Sequence, residues 1–338
     1  MCLAGCGRQA QNTADSGGSQ QQDQWDRLSV TTTLFPYYDF VRQIAGDRVK
    51  LKLVVPAGMD SHSFEPTPAD MITIQNSDIF LYNGGEMEQW VEDALESIGN
   101  PELRAVSMMD SVDVLEEEIV EGMEEGAGHD HGHSHDDDNN HSHNHEEDDH
   151  DHHYEPGQVR EIEYDEHIWT SPVNAMKIVE TISSILIQED PRHQSFYEEN
   201  TSRYLAELAA LDQEFQQVSA DRKRDMIIVG DKFPFRYLAE EYDLQYRAAF
   251  AGCSSDTEPS ARTIAYLIDQ VRQRQLPVVY YLELSSHRVA EIIGEETGAA
   301  PMLLHSCHNV TRQEFEEGIT YLQLMEQNVK NLRAGLAE

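Results

Sequence analysis

The sequence predicts an α/β protein made of two similar α/β lobes, each with a mainly parallel sheet, joined by a long rigid helix. Three observations carry that expectation. Apolar, β-branched strand patterns alternate with helical ones in two separate stretches of the chain. One uninterrupted helical pattern lies between the stretches. With 338 residues, the chain exceeds the usual size of one compact domain, so two lobes with separate cores are expected. The divisions fall at 28–190 for the N-terminal lobe, 191–219 for the linker helix and 220–338 for the C-terminal lobe, after a leader and tether over 1–27.

The leader contains Leu3-Ala4-Gly5-Cys6, which resembles a bacterial lipobox, with Cys6 as the lipidated residue and Gln11 to Gln22 as a polar tether. Five residues before Cys6 are too few for a signal peptide, which needs an apolar segment of about 7 to 15 residues, so the leader is expected to be truncated. Of the other cysteines, Cys253 and Cys307 would remain after Cys2 is removed. Two is the number a disulfide needs in an oxidising compartment; the alternatives are two free buried thiols or one thiolate ligand.

In the first lobe, Leu28 to Phe35 reads as a strand, Tyr37 to Ala45 as a helix and Val49 to Val55 as a second strand. Glu65-Pro66-Thr67-Pro68 supplies a cap with proline in the first turn, opening a short helix to about Gln75. A strand over Ser77 to Tyr82, a helix over Met87 to Ile98 and a short strand around Val112 follow. From Glu116 to Glu155 the pattern stops in an acidic stretch holding ten histidines, His129, His131, His133, His135, His141, His143, His145, His150, His152 and His153. With almost no apolar residues, this stretch cannot bury a core and reads as a solvated loop. Order resumes at Trp169, and Ser171-Pro172 caps a helix to about Ile187.

The linker runs from Pro191 to about Val218 without internal Gly or Pro, with Phe196, Tyr204, Leu205, Leu208, Leu211 and Phe215 spaced for one face. Some 28 helical residues would span roughly 40 Å. In the second lobe, strands at Met226 to Val229, Tyr246 to Phe250, Val278 to Leu282 and Pro301 to Leu304 alternate with helices over Phe235 to Tyr242, Ser260 to Arg274 and His287 to Thr297. A terminal helix starts at Arg312.

Charge excludes several partners. With 63 acidic against 24 basic residues, the formal charge of −39 repels phosphate backbones, so no nucleic acid is expected. No apolar run approaches the roughly 18 to 20 residues of a spanning helix. Membrane attachment would come through a lipid anchor, and a monomer is expected.

Six histidines lie outside the acidic loop: His62, His167, His193, His287, His305 and His308. A lone loop histidine is ordinarily a surface residue. His62 and His167, however, occupy matching positions, each on a loop just upstream of a proline-capped helix, at the sheet edge where α/β proteins collect ligands. His193 and His287, beside helix starts among polar residues, read as surface.

Here a family resemblance enters. Gly58-Met59-Asp60-Ser61-His62-Ser63-Phe64-Glu65-Pro66-Thr67-Pro68 and Asp165-Glu166-His167-Ile168-Trp169-Thr170-Ser171-Pro172 resemble the first two ligand motifs of the zinc and manganese solute-binding proteins of ABC transporters. The acidic His-rich insert is a habit of the zinc branch. The match runs from about Leu28 to the C-terminus, including Tyr321-Leu322-Gln323-Leu324-Met325-Glu326-Gln327-Asn328. The resemblance implies a metal held between two lobes, an extracytoplasmic location and delivery to a membrane permease. It also exposes a departure: five residues before the tyrosine of Phe235-Arg236-Tyr237, where the family places a third ligand, stands Lys232. Asp231 is the adjacent substitute. The last ligand would come from Leu304-His305-Ser306-Cys307-His308-Asn309, where register leaves His305 and His308 open. Glu283, after a strand at the same edge, is a further candidate.

A set of His62, His167 and His305 and/or His308 favours Zn(II), because imidazole suits a four-coordinate zinc site. Manganese, the alternative, would require Asp231 and Glu283 together. The loop histidines read as an auxiliary, weak collector, since ordering a floppy segment costs entropy. A metalloenzyme is disfavoured: the string His145 to His150 lacks the i, i+4 spacing of a zincin helix, so no enzymatic activity is expected. A surface adhesin lipoprotein remains the other class.

Overall fold

The computed structural model describes residues 27–123, 163–252, 254 and 258–338. Cys6, Cys253 and all ten histidines of the acidic stretch lie outside the described residues.

The first lobe runs β1 (Leu28–Thr32), α1 (Phe35–Ala45), β2 (Val49–Leu53), α2 (Pro68–Gln75), β3 (Ile79–Tyr82), α3 (Trp90–Ile98) and β4 (Arg104–Ser107), followed beyond the acidic stretch by α4 (Pro172–Glu189). Its four strands are all parallel in the order β2-β1-β3-β4. Parallel strands are covered on both faces, which is why β3 reads as a continuous apolar run and the threonines of β1 are buried. The strand expected around Val112 is instead a single helical turn at Met109–Ser111 followed by extended chain. The pairing strand comes earlier, at Arg104–Ser107, where half-buried residues at a sheet edge leave little apolar signal.

The linker, α5 (Gln194–Asp221), spans 28 residues, about 42 Å at helical rise. The second lobe repeats the design with β5 (Met226–Phe233), α6 (Arg236–Glu241), β6 (Gln245–Ala251), α7 (Ala261–Arg274), β7 (Val278–Tyr281), α8 (Arg288–Thr297) and β8 (Ala300–Leu303). The strand order β6-β5-β7-β8, again all parallel, is the same permutation as in the first lobe. The chain ends in α9 (Arg312–Glu317) and α10 (Tyr321–Leu336) where one terminal helix was expected. Gly318, at φ +76°, stops α9 in the left-handed conformation, and Thr320 with Gln323 caps α10 as a reciprocal pair.

The expectation of separate cores is corrected. One apolar cluster runs through both lobes, from Val30 and Phe40 through Tyr204, Leu208 and Phe215 of α5 to Tyr280 and Leu332; a second, smaller cluster built on Met226, Ile228, Leu267 and Ile293 belongs to the C-terminal lobe alone. The linker is therefore a shared core element: it packs on α4, α1 and α10, and Phe215 stacks on Tyr242 with centroids 5.1 Å apart. Polar bonds reinforce the junction. Tyr321 N–H donates to Asp39 Oδ2 at 2.7 Å, and Arg42 donates to the carbonyl of Ile319 at 2.6 Å.

The acidic stretch also starts later than expected. Glu116 pairs with Tyr164 in an antiparallel bridge, and Val120 and Met123 pack against the core, so its two flanks are joined at the base.

Candidate metal centre

His62 sits in a helical turn at Ser61–Ser63 on the loop between β2 and α2. The Asp60 carboxylate caps that turn by accepting the His62 N–H at 3.0 Å. The Thr67–Asp70 capping box and Pro68 fix the helix that follows. Sequence motif and loop shape thus share one cause: short polar side chains that hold the backbone.

His167 is fully buried. Asp165 Oδ1 accepts its backbone N–H at 2.8 Å and lies 3.3 Å from its Nδ1, orienting the ring so that Nε2 is left for a metal. The Asp165 carbonyl in turn accepts from the Tyr237 hydroxyl of the second lobe at 2.6 Å. Glu166 points the other way and accepts from the backbone N–H groups of Glu86 and Met87. Gly85, at φ +83°, is required there, because a Cβ would overlap the Glu166 carboxylate.

The loop after β8 decides between His305 and His308. Cys307 adopts a left-handed conformation, φ +60°, which reverses the chain and sends the two rings in different directions. His305 turns inward: its backbone is clamped by Asn328 of α10, with bonds of 2.8 and 2.7 Å, and its Nδ1 accepts the Cys307 N–H at 2.9 Å. His308 turns into the cleft. Asn309 fastens this loop to the first lobe through the carbonyls of Pro56 and Met59, both at 2.8 Å, and Trp169 Nε1 donates to the Ser306 carbonyl at 2.8 Å.

His62, His167 and His308 consequently converge. Each offers a ring nitrogen, and these atoms lie within 4.8 Å of one another. A tetrahedral zinc with bonds of about 2.1 Å has nitrogens about 3.4 Å apart, so closure of about 1.4 Å at most would complete the set. The ring centroids are 5.5 to 6.1 Å apart, and the His308 plane stands nearly perpendicular to the other two. Ser61 lies against the His308 ring. Its hydroxyl lies 3.1 Å from Met87 Sδ and also contacts His308 Nε2.

Electrostatics divide the three rings. Burial, with the neighbouring His167 and Lys232, pushes His62 down to about 4; burial and the same kind of cationic neighbours push His308 well below the usual imidazole value. At His167 burial acts downward too, but the Asp165, Glu166 and Glu117 carboxylates outweigh it and raise the ring above its ordinary value. Two rings are thus held neutral and ready for metal, while the third is polarised by its carboxylate.

The carboxylate candidates are engaged elsewhere. Glu283 accepts from the backbone N–H of Ser306 at 2.9 Å and from its hydroxyl, so it supports the His308 loop. Asp231 accepts the Lys232 N–H at 2.9 Å, and burial raises its carboxyl. Both border the same cleft of about 310 Å³ as the three histidines, and neither joins the convergent set among the described residues. His305 is likewise outside it. Of the two histidines read as surface, His193 is half-buried with Nδ1 2.6 Å from Asp190, whereas His287 lines the cleft and packs on Tyr281 at 4.1 Å. Cys307 is fully buried with a free thiol; Cys253, its expected partner, lies outside the described residues.

Sequence reasoning did not single out Ser61, Asp165 or Asn328 for roles of their own. The carboxylate two residues before His167 was the one readable signal, since a histidine ligand needs a partner on its other nitrogen.

The chain is 33% identical, over 99% of its length and 94% of the relative's, to the high-affinity zinc uptake system protein ZnuA of Bacillus subtilis. It is 30% identical over 93% of its length to the zinc-binding lipoprotein AdcA of Streptococcus pneumoniae, of which it spans 57%. Among solved structures, the metal-dependent lipoprotein YcdH of Bacillus subtilis superposes with a TM-score of 0.71 at 29% identity, covering 92% of this chain and all of that one. The Zn(II)-bound ZnuA-like domain of Streptococcus pneumoniae AdcA does so at 0.70 and 26%, with the same coverage. The family model described as zinc-uptake complex component A, periplasmic, matches residues 30–335, and the chain belongs to that family.

Proposed function

We propose that this protein captures Zn(II) outside the cytoplasm with His62, His167 and His308 and delivers it to the membrane permease of an ABC transporter. The observation that carries the reading is the convergence of three imidazole nitrogens, one fully buried and two with accessible edges, at the junction of two parallel-sheet lobes. Nitrogen-only donors suit zinc, whereas manganese prefers carboxylates and a higher coordination number. Manganese would need Asp231 and Glu283, and both are committed to hydrogen bonds that shape the surrounding loops. The zinc relatives and the Zn(II)-bound neighbour support the same choice.

Binding, not turnover, is the work of this site. The continuous core and the bonded lobe junction favour small loop movements on loading in place of wide hinge closure. Lipidation at Cys6 would hold the protein at the membrane surface, and no described helix is long and apolar enough to cross a membrane. The acidic histidine stretch would add weak, auxiliary zinc capacity. Laminin-binding proteins of Streptococcus agalactiae and Streptococcus pyogenes are also structural neighbours, but at 20 to 22% identity they share the fold alone.

Competition calorimetry with zinc tests the reading. One tight zinc per chain, lost in a His62→Ala, His308→Ala double variant, is expected. Tight binding that survives the double replacement would place the site elsewhere.

A further inference from the structure

Three imidazoles leave a tetrahedral zinc one ligand short. A cation lines the same cleft. Lys232 lines the cleft with all three histidines, its side chain is 12% exposed, and its positive charge is felt at both His62 and His308. Among the described residues its ion-pair contact is Asp60, at 3.9 Å, a distance too long for a hydrogen bond. Asp60 is itself half exposed and uses Oδ1 to cap the His62 turn. A nearly buried ammonium beside a dication is repelled by it unless negative charge stands between them. The nearby carboxylates, Asp231 and Glu283, are bonded to the backbone of Lys232 and of Ser306.

Resting on the zinc reading above, we propose that the fourth position is filled by the carboxylate of a small organic anion, with one oxygen on the metal and the other accepting from Lys232. A carboxylate has the two oxygens this geometry asks for, and the cleft of about 310 Å³ admits an anion of acetate to amino-acid size. Lys232 then works as an anion anchor in the second lobe, and the cargo is zinc together with its anion. The anion arrives free or already on the metal; the shared chemistry is the carboxylate.

Trp169 provides the readout. Its ring lies 5.6 Å from His167 and 5.3 Å from His308, so its fluorescence follows the interlobe site. Zinc is titrated into the full chain in a non-coordinating buffer without carboxylates or halides, and again with acetate, added either to the protein first or premixed with zinc. Wild-type affinity should rise about tenfold with acetate, the scale of one hydrogen bond to a charged group. Lys232→Met should bind zinc without that gain, and Lys232→Arg should retain it. Equilibrium affinity is the same in either order of addition, so the source is read from stopped-flow rates: equal binding rates in both orders indicate a free anion, a faster rate with premixed acetate indicates one that travels on the metal, and either supports the proposal. Acetate-independent affinity in the wild type, or the same gain in Lys232→Met, would overturn it while leaving the three-histidine site standing. No tight zinc binding under any condition would remove the zinc reading itself.

Discussion

The two lobes share one strand permutation and differ in what their loops carry. The first contributes two imidazoles, His62 and His167, each on a loop whose shape is set by a neighbouring aspartate. From the second come one imidazole, His308, and a cation, Lys232. A duplicated architecture has therefore not produced a duplicated site. The first lobe holds two of the three converging imidazoles, and the second brings the third on a loop fastened to the first by Asn309. The lesson is that fold repeats place loops at equivalent edges, while the chemistry follows from individual side chains and their supports.

The sharpest way to break this comparison is to remove ligands from each side. Zinc should stabilise the native wild type by about 4 kcal/mol at a thousandfold excess over Kd, because the unfolded chain has no formed site. His167→Ala and His308→Ala should each abolish most of that gain in thermal melts. If His308→Ala keeps it, the first lobe suffices and the second lobe has been misread.

Supports come next. Asp165→Asn should weaken zinc binding by about 10- to 100-fold, since Asp165 orients His167 directly. Glu283→Gln acts only through Ser306 on the His308 loop and should cost about tenfold or less. The reverse order, measured by competition titration, would mean that the second lobe's loop is the weaker-held half.

Proton release separates the rings further. A histidine raised above its ordinary value is protonated as pH falls through that raised value, and only the neutral ring binds metal. His167 is the raised one, while His62, near 4, and His308 stay neutral throughout that window. Zinc binding near pH 6.5 should therefore release about one proton, from His167. Calorimetry in buffers of different ionisation enthalpy counts it. Release of three would show that all the rings start charged.

The smallest effect on zinc is expected at His305. His305→Ala removes the acceptor of the buried Cys307 N–H and should cost about 1 to 3 kcal/mol of stability in urea melts. Its zinc affinity should stay close to wild type. A collapse of affinity without loss of stability would return His305 to the site.

Much of this was legible in the sequence. Strand runs buried on both faces, proline-capped helices and an uninterrupted linker announce the two-lobed α/β fold, and His62 and His167 stand out by their matching positions. The choice between His305 and His308 was not legible, because it depends on a left-handed residue at Cys307 and on Asn328, 23 residues after His305. Nor was the shared core: side-chain periodicity on α5 shows that a face is buried without showing against which lobe. The edge strand Arg104–Ser107 escaped because partial exposure dilutes the apolar signal. Asp231 and Glu283 line the expected cleft, but their hydrogen bonds to backbone, invisible in one dimension, leave them outside the converging imidazoles.

The central claim is that zinc is held by one histidine from each of three loops, two in the first lobe and one in the second. Anomalous diffraction at the zinc edge from zinc-loaded crystals tests it most directly. A single strong interlobe peak about 2.1 Å from one ring nitrogen of each of His62, His167 and His308 is expected. A peak coordinated by His305, Asp231 or Glu283 in place of His308 would contradict it.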